Sequence, residues 1–147
     1  MLPAALRSLV LLAALGTVAP PPALARTDTI SAQFPRCAAG PRVTCVVDGD
    51  TIWLEGTKIR LADIDTPETG RPRCPAEAAR GEDATRRLQA LLNRGAFLLL
   101  PAPDGRDEDR FGRKLRVIAR NGESLGAILV REDLARPWGG RRRGWCG

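Results

Sequence analysis

The sequence contains no histidine, almost no lysine and no C-x-x-C pair. Without histidine, the Ser-His-Asp and Cys-His mechanisms are excluded, because both use an imidazole to take a proton. The absence of histidine and the spacing of the cysteines also argue against a structural zinc site. Lys58 and Lys114 are the only lysines, so arginine supplies nearly all of the positive charge in a net charge of +6. The chemistry of this chain therefore depends on carboxylates and arginines.

Arginine is the dominant basic residue. Its planar guanidinium matches two phosphate oxygens at once, and a basic surface attracts polyanions in a salt-sensitive way. This composition suits a polyanionic partner. A GC-rich coding bias is an alternative explanation for much of the arginine-to-lysine ratio, although it does not explain where particular arginines stand.

The first 25 residues are typical of a secretory signal peptide. Arg7 precedes an apolar run at residues 8–18, three prolines at 20–22 and the small-residue site Ala23-Leu24-Ala25. The alternatives are an uncleaved anchor or a buried helix, although the run is too short to span a bilayer. Cleavage after Ala25 predicts an exported protein, periplasmic or extracellular, that is monomeric and has no stable membrane association.

Four cysteines follow the predicted signal peptide, namely Cys37, Cys45, Cys74 and Cys146. An even number of cysteines in an exported chain predicts disulfide bonds. Four cysteines allow three pairings, and the sequence pattern does not choose among them.

After an irregular lead-in at residues 26–42, the hydrophobic pattern predicts a single domain at residues 43–147. Five short strands are predicted, at residues 43–47, 51–55, 58–64, 96–100 and 114–120. Two helices are predicted, one from Ala76 to Asn93 and one from Ser124 to about Glu132. The alternation in the third strand slips by one residue before Ile64, which suggests a bulge. This order predicts a small closed β-barrel with a helix across one end, the OB-fold architecture.

Four carboxylates stand at or near the ends of the predicted strands. They are Asp48, Asp50, Asp65 and Glu68. Carboxylate oxygens suit a hard cation such as calcium. Taken alone, the Asp-Gly-Asp-Thr segment could equally be a simple hairpin turn.

Two arginines complete a set of groups suited to phosphate chemistry. Arg60 precedes Asp65 by five residues, and Gly112 permits a tight turn that would aim Arg113 at the same end of the barrel. Phosphodiester hydrolysis needs a cation, a base for water and positive donors on the phosphate. The alternative is that these side chains are ordinary solvated residues of a strand and a charged loop.

Three motifs in order resemble the thermonuclease (staphylococcal-nuclease-like) family: Val-Asp-Gly-Asp-Thr-Ile at 47–52, Arg-Leu-Ala-Asp-Ile-Asp-Thr-Pro-Glu at 60–68 and Asp-Arg-Phe-Gly-Arg at 109–113. The apolar helix face and the segment at 129–135 also fit. The resemblance implies an OB-fold barrel and calcium-dependent cleavage of DNA and RNA that leaves 3′-phosphate ends.

The resemblance also implies roles for individual residues. Asp50, Asp65 and the Thr66 carbonyl would bind calcium, whereas Asp48 would lie beside the metal and support its ligands.

The catalytic roles implied by the resemblance fall on three charged residues. Glu68 would be the base or would orient the attacking water. Arg60 and Arg113 would bind the phosphate and stabilise the transition state. A non-catalytic OB-type module that binds nucleic acid or protein, with a structural calcium, is the alternative function.

The chain departs from the family at its substrate-binding aromatics and at its C terminus. It has no tyrosine, and Phe111 stands where a tyrosine is common. Arg110, Phe111 and Trp138 are candidates for substrate binding, Trp138 by stacking, although that tryptophan could instead pack in the core or against the tail. The last helix of longer relatives is replaced by an arginine-rich tail. We expect Cys146 to tie this tail to Cys74, which leaves Cys37 for Cys45.

Overall fold

The computed structural model describes residues 28–141 and 144–146, so the predicted signal peptide at 1–25 lies outside the described residues. The elements in chain order are β1 (Cys45–Asp48), β2 (Thr51–Leu54), β3 (Thr57–Leu61), β4 (Ile64–Asp65), α1 (Pro75–Leu92), β5 (Leu98–Pro101), β6 (Lys114–Arg120), β7 (Glu123–Ser124), α2 (Leu125–Arg131) and β8 (Arg136–Pro137). The five predicted strands and both predicted helices are present. The two-residue strands β4, β7 and β8 were not predicted.

The main sheet is mixed, with strand order β1-β2-β3-β6-β5. Strands β1, β2 and β3 form an antiparallel meander, whereas β3 and β6 run parallel, with Arg60 opposite Leu115. Strand β5 returns antiparallel to β6. This arrangement of a mixed sheet with two helices is consistent with an OB-like fold.

The prediction of a closed barrel was wrong. Within residues 28–141 and 144–146, no ladder joins β5 to β1. The lead-in occupies this position instead, because Ile30 forms an antiparallel bridge with Phe97 and Arg36 forms a parallel bridge with Val46. Strands β5 and β1 are therefore not paired with each other, and the lead-in makes only isolated bridges at these two places.

The lead-in contributes to the hydrophobic core. Phe34 is fully buried, and its ring centroid lies 5.9 Å from that of Phe97. The Asn93 side chain, at the end of α1, accepts a 2.8 Å hydrogen bond from the Phe34 N–H and donates a 3.1 Å bond to the Phe34 carbonyl. The domain limits at residues 26–42 and 43–147 stay a prediction, but the core includes a side chain from before residue 43.

At the position near Ile64 where the sequence pattern suggested a bulge, the chain instead changes the strand with which it pairs. Strand β3 ends at Leu61, and after a turn β4 pairs with β8 instead of continuing in the main sheet. Ile59, Leu61 and Ile64 are all buried, as the pattern predicted. The change of partner places Asp65 opposite Arg136.

Helix α1 packs one apolar face against the sheet. Ala84, Leu88, Leu91 and Leu92 are buried, which confirms the predicted face. Cys74 is the N-cap and Pro75 occupies the first turn, where a missing N–H has no cost.

Two disulfides join the chain as predicted. Cys37 pairs with Cys45, and Cys74 pairs with Cys146 across a sequence separation of 72. The second bond ties the tail to the start of α1. No helix within the described part of the chain is long and apolar enough to cross a membrane.

Candidate active site

The turn between β1 and β2 presents Asp50 toward the interior of the site. The Asp50 N–H donates to Asp48 Oδ1 at 3.1 Å, and Thr51 Oγ1 donates to Asp50 Oδ1 at 2.8 Å. The turn lies so close to α1 that a Cβ on Gly49 would come within 2.7 Å of the Ala84 Cβ. Only glycine fits here, so the helix fixes the position of the turn.

Arg60 is the centre of the candidate site. It is 7% exposed, so it is not a solvated strand residue. Its Nη2 lies 3.4 Å from Asp50 Oδ2 and 3.6 Å from Asp65 Oδ1, and its Nη1 donates to the Leu61 carbonyl at 2.9 Å. One guanidinium therefore brings together the two carboxylates that the sequence assigned to calcium.

Asp65 also has a second cationic partner that the sequence analysis missed. Asp65 Oδ2 accepts hydrogen bonds from Arg136 Nε at 2.9 Å and from Arg136 Nη2 at 2.6 Å. Arg136 directly follows the segment at 129–135 that the family resemblance included. Its role depends on the β4–β8 pairing, for which two-residue strands leave no periodic signal.

The carboxyl of Asp50 is less acidic than usual. Burial raises the pKa of Asp50 to about 6, and the negative charge of Asp48 adds to this shift, while Arg60 opposes it. Two acidic neighbours, Asp48 and Asp65, disfavour the charge on Asp50. A cation bound at Asp50 and Asp65 would relieve this repulsion.

Glu68 lies in the exposed loop after β4. Partial burial raises the pKa of Glu68, as do the charges of Asp50, Glu77 and Asp65, whereas Arg113 lowers it. A carboxylate with a raised pKa is a better proton acceptor, which suits the predicted base.

The loop that carries Glu68 is held by Glu77, which is 4% exposed. Glu77 accepts hydrogen bonds from the backbone N–H of Glu68 at 3.4 Å and of Arg73 at 2.7 Å. The loop also lies against α1, since a Cβ on Gly81 would come within 2.7 Å of the Pro67 carbonyl oxygen. Glu77 falls within the helix predicted from Ala76 to Asn93, but nothing in the sequence pattern indicated this contact with the loop.

Arg113 is positioned by Asp109. Its Nε donates to Asp109 Oδ2 at 2.7 Å, while Asp109 Oδ1 accepts from the N–H groups of Phe111 and Arg113. Gly112 has a φ of +74°, which permits the tight turn that the sequence predicted. The short loop thus presents Arg113 beside β6.

Two clefts are adjacent at the Arg60–Asp65 ion pair, because Arg60 lines one of them and Asp65 lines the other. The first, of about 300 Å³, is the aromatic cleft, and its lining includes Arg60, Arg110, Phe111, Arg113 and Trp138. The second, of about 270 Å³, is the tail cleft, lined by Asp65, Thr66, Glu68, Arg73, Glu77, Arg136, Gly144 and Trp145. The candidate catalytic groups are divided between them.

The aromatic cleft exposes two rings. Phe111 is 67% exposed and Trp138 is 43% exposed, so Trp138 is not a core residue. The Arg60 guanidinium carbon lies 4.3 Å from the centroid of Trp138, and those of Arg110 and Arg113 lie 4.7 and 5.5 Å from Phe111. Arginine over an aromatic face makes a flat, cationic surface that can receive a base and its phosphate.

The predicted metal ligands fit a hard cation by their chemistry. Asp50 and Asp65 supply carboxylate oxygens, and Thr66 supplies a main-chain carbonyl. Within the described ranges, no three His, Cys, Asp or Glu side chains are grouped to hold a metal ion. A calcium ion here would therefore need neutral oxygens, such as water and the Thr66 carbonyl, besides the two carboxylates.

Comparisons with known proteins give the family. Residues 58–142 match the family model described as "Staphylococcal nuclease homologue", a span that includes Arg60, Glu68 and Arg113 but begins after Asp50. Over 94 residues the chain is 38% identical to "Endonuclease YncB" of Bacillus subtilis (strain 168), covering 61% of this chain and 44% of that protein.

A second relative is more distant in sequence and also only partly covered. Over 99 residues the chain is 31% identical to "Thermonuclease" of Staphylococcus hyicus, covering 65% of this chain and 57% of that protein. The chain thus spans less than two thirds of the length of either relative. Because the family model covers more than half of the chain, the protein belongs to the staphylococcal nuclease homologue family.

Proposed function

We propose that the protein is an exported, calcium-dependent nuclease that hydrolyses phosphodiester bonds in DNA and RNA and leaves 3′-phosphate ends. The observation that carries this proposal is the convergence of Asp50 and Asp65 on one buried Arg60, which lines the aromatic cleft while Asp65 lines the tail cleft. The names of the two relatives, an endonuclease and a thermonuclease, support the activity.

Asp50, Asp65 and the Thr66 carbonyl would hold the calcium ion. When bound, calcium would polarise a phosphate oxygen and neutralise part of the charge that develops on it. The raised pKa of Asp50 supports this assignment, because a cation favours the charged form of a carboxyl that burial and like charges disfavour.

Glu68 accepts the proton of the attacking water in this proposal. The water oxygen bonds to phosphorus, the bond from phosphorus to the 5′ oxygen breaks, and solvent protonates the leaving oxygen. Arg60 and Arg113 donate to the phosphate oxygens and stabilise the added charge. Asp109 holds Arg113 in place through a 2.7 Å contact.

Export is supported by two features. Residues 1–25 have the pattern of a signal peptide, and two disulfides use all four cysteines. Disulfides form and persist in oxidising compartments, so their use fits a periplasmic or extracellular location.

The function is tested by incubating single-stranded DNA, plasmid and RNA with the protein in calcium or in chelator, followed by end-group analysis of the products. We expect cleavage only with calcium, with phosphate on the 3′ end. Equal cleavage in chelator would eliminate the metal mechanism, and 5′-phosphate ends would overturn the assigned bond.

Two substitutions test the assigned roles. Glu68→Gln and Arg113→Ala should each lower kcat by roughly 100-fold or more, because a base or a phosphate donor is lost. Glu123→Gln, which changes an exposed carboxylate paired with Arg131, is the matched control. If Glu68→Gln cleaves as fast as this control, Glu68 is not the base. If the unaltered protein binds nucleic acid in the presence of calcium but does not cleave it, the non-catalytic alternative is supported.

A further inference from the structure

The tail cleft has a wall supplied by the C-terminal tail. Asp65, Thr66 and Glu68 line one side, and Gly144 and Trp145 line the other. The Cys74–Cys146 disulfide joins the residue after Trp145 to the N-cap of α1, so the tail is covalently held beside the candidate base.

This wall combines an aromatic ring with positive charge. The Arg136 guanidinium carbon lies 4.7 Å from the centroid of Trp145, and Arg73 also lines the cleft. Trp145 is partly exposed, and it lines the cleft as well as contacting Arg136. An aromatic face beside arginines is the combination that stacks a base and binds its phosphate.

The candidate catalytic groups require a substrate that occupies both clefts. Arg60 and Arg113 line the aromatic cleft, whereas Asp65 and Glu68 line the tail cleft. A phosphate that contacts both arginines and lies within reach of Glu68 must therefore be at the junction. The nucleosides on its two sides then extend into different clefts.

We propose that the tail cleft is a second nucleotide subsite. The base on one side of the cleaved bond lies near Phe111 and Trp138, and Trp145 stacks on the base on the other side of that bond. This inference rests on the proposed nuclease function. The disulfide holds Trp145 in a fixed position relative to Glu68, so Cys74 and Cys146 are positioning residues.

The test uses a tetranucleotide in which only the central phosphodiester is hydrolysable, the other linkages being uncharged methylphosphonates. Two further substrates lack the base immediately on one or the other side of that bond. We expect Trp145→Ala to lower kcat/KM at least 5-fold for the complete substrate and to have little effect on one of the two abasic substrates. Trp138→Ala should likewise lower kcat/KM for the complete substrate and have little effect on kcat/KM for the other abasic substrate.

Controls separate stacking from folding. Trp145→Phe should recover most of the rate because it keeps an aromatic face, and Val43→Ala changes an apolar residue that is 58% exposed and outside both clefts. Thermal unfolding of each variant checks that the fold is intact. Equal losses for Trp145→Ala on all three substrates, or no loss on any, would overturn the subsite.

The tether is tested by paired variants. Cys74→Ser/Cys146→Ser should raise KM for the complete tetranucleotide at least 5-fold, while Cys37→Ser/Cys45→Ser should leave KM unchanged at a temperature where both remain folded. Equal KM values for the two double variants would contradict the positioning role.

Binding measured in the Glu68→Gln background separates this inference from the proposed function. Fluorescence anisotropy of a labelled tetranucleotide with calcium should show weaker binding when Trp145→Ala is added, even if no variant cleaves. If the unaltered protein does not cleave the substrate but binding still depends on Trp145, the nuclease proposal alone is overturned. Cleavage without Trp145 dependence would overturn the subsite alone.

Discussion

A single buried guanidinium organises the candidate site. Arg60 contacts Asp50, Asp65 and the Leu61 carbonyl, so its charge is shared between two carboxylates in a place with little water. Removing Arg60 would leave Asp50 and Asp65 without the cation that they share. The site is therefore best examined with isosteric changes, which keep its shape.

Asp50→Asn should stabilise the protein in chelator at neutral pH. The folded-state pKa of Asp50 is raised from 3.8 to about 6, so this carboxyl favours folding when protonated. That contribution is fully present below pH 3.8 and is lost as the pH rises through about 6. At pH 7.5 we expect the free energy of unfolding of the variant to exceed that of the unaltered protein by about 3 kcal/mol, because each pKa unit corresponds to about 1.4 kcal/mol.

Urea unfolding at pH 7.5 and at pH 3.5 measures this effect. The difference between Asp50→Asn and the unaltered protein should nearly vanish at the lower pH. Saturating calcium should then stabilise the unaltered protein more than the variant. A variant that is less stable at pH 7.5 in chelator would show that the Arg60 contact outweighs the burial of Asp50.

The sequence predicted the residue types of this site better than their contacts. Asp50, Arg60 and Asp65 could be placed together because each stands at the end of a short strand with a clear pattern. Arg136 and Glu77 could not, because their contacts with Asp65 and the Glu68 loop depend on how distant segments pack. Local periodicity carries no information about such long-range pairs.

Helix α1 supports both acidic loops of the site. Its Ala84 fixes the turn at Gly49, and its Gly81 lies under the loop that carries Glu68. The apolar face of the helix was predictable, whereas these two close approaches were not, because they depend on the distance between helix and loop. The helix thus sets the separation of Asp50 and Glu68.

Gly81→Ala should impair activity by displacing the Glu68 loop. In an exposed helix interior this change would stabilise by about 0.5–1 kcal/mol. Here the new Cβ would lie 2.7 Å from the Pro67 carbonyl oxygen, so the loop must move. We expect at least a 10-fold loss in kcat, measured with a saturating oligonucleotide, and a lower melting temperature.

Gly70→Ala is the matched control, because a Cβ at Gly70 meets nothing within 4 Å. It adds the same methyl group in the loop itself, whereas Gly81 lies in α1 against that loop, and it causes no clash. Equal rates for the two alanine variants would mean that the loop adapts at no cost to catalysis.

The two disulfides constrain the chain over very different lengths. Cys37–Cys45 spans 8 residues, whereas Cys74–Cys146 spans 72 and encloses α1, β5, β6, β7, α2 and β8. A crosslink that closes a longer loop removes more conformational entropy from the unfolded chain. The Cys74–Cys146 disulfide therefore stabilises the folded protein in addition to holding the tail beside the candidate site.

Replacing each cysteine pair by serine should reveal this difference. Cys74→Ser/Cys146→Ser should lose about 4 kcal/mol of unfolding free energy, and Cys37→Ser/Cys45→Ser about 2–3 kcal/mol. Urea unfolding of both variants under oxidising conditions gives the comparison. A larger loss for the short-loop variant would show that local packing, rather than chain entropy, dominates.

The fold class was recognisable from the sequence, but the closure of the sheet was not. Hydrophobic runs located β1, β2, β3, β5 and β6, because each has enough residues to show a pattern. The role of the lead-in was not visible, since Phe34 stands alone among polar residues and prolines. An isolated aromatic residue gives no period from which burial can be inferred.

The burial of Phe34 limits where the chain can be truncated. A truncation guided by the family match at residues 58–142, or by the first predicted strand, would remove Phe34 together with the partners of Phe97 and Val46. Such a fragment would have a void in its interior and two bare strand edges, which invite aggregation. We therefore expect a fragment that includes Ile30 and Phe34 to be more stable than one cut at either of these boundaries.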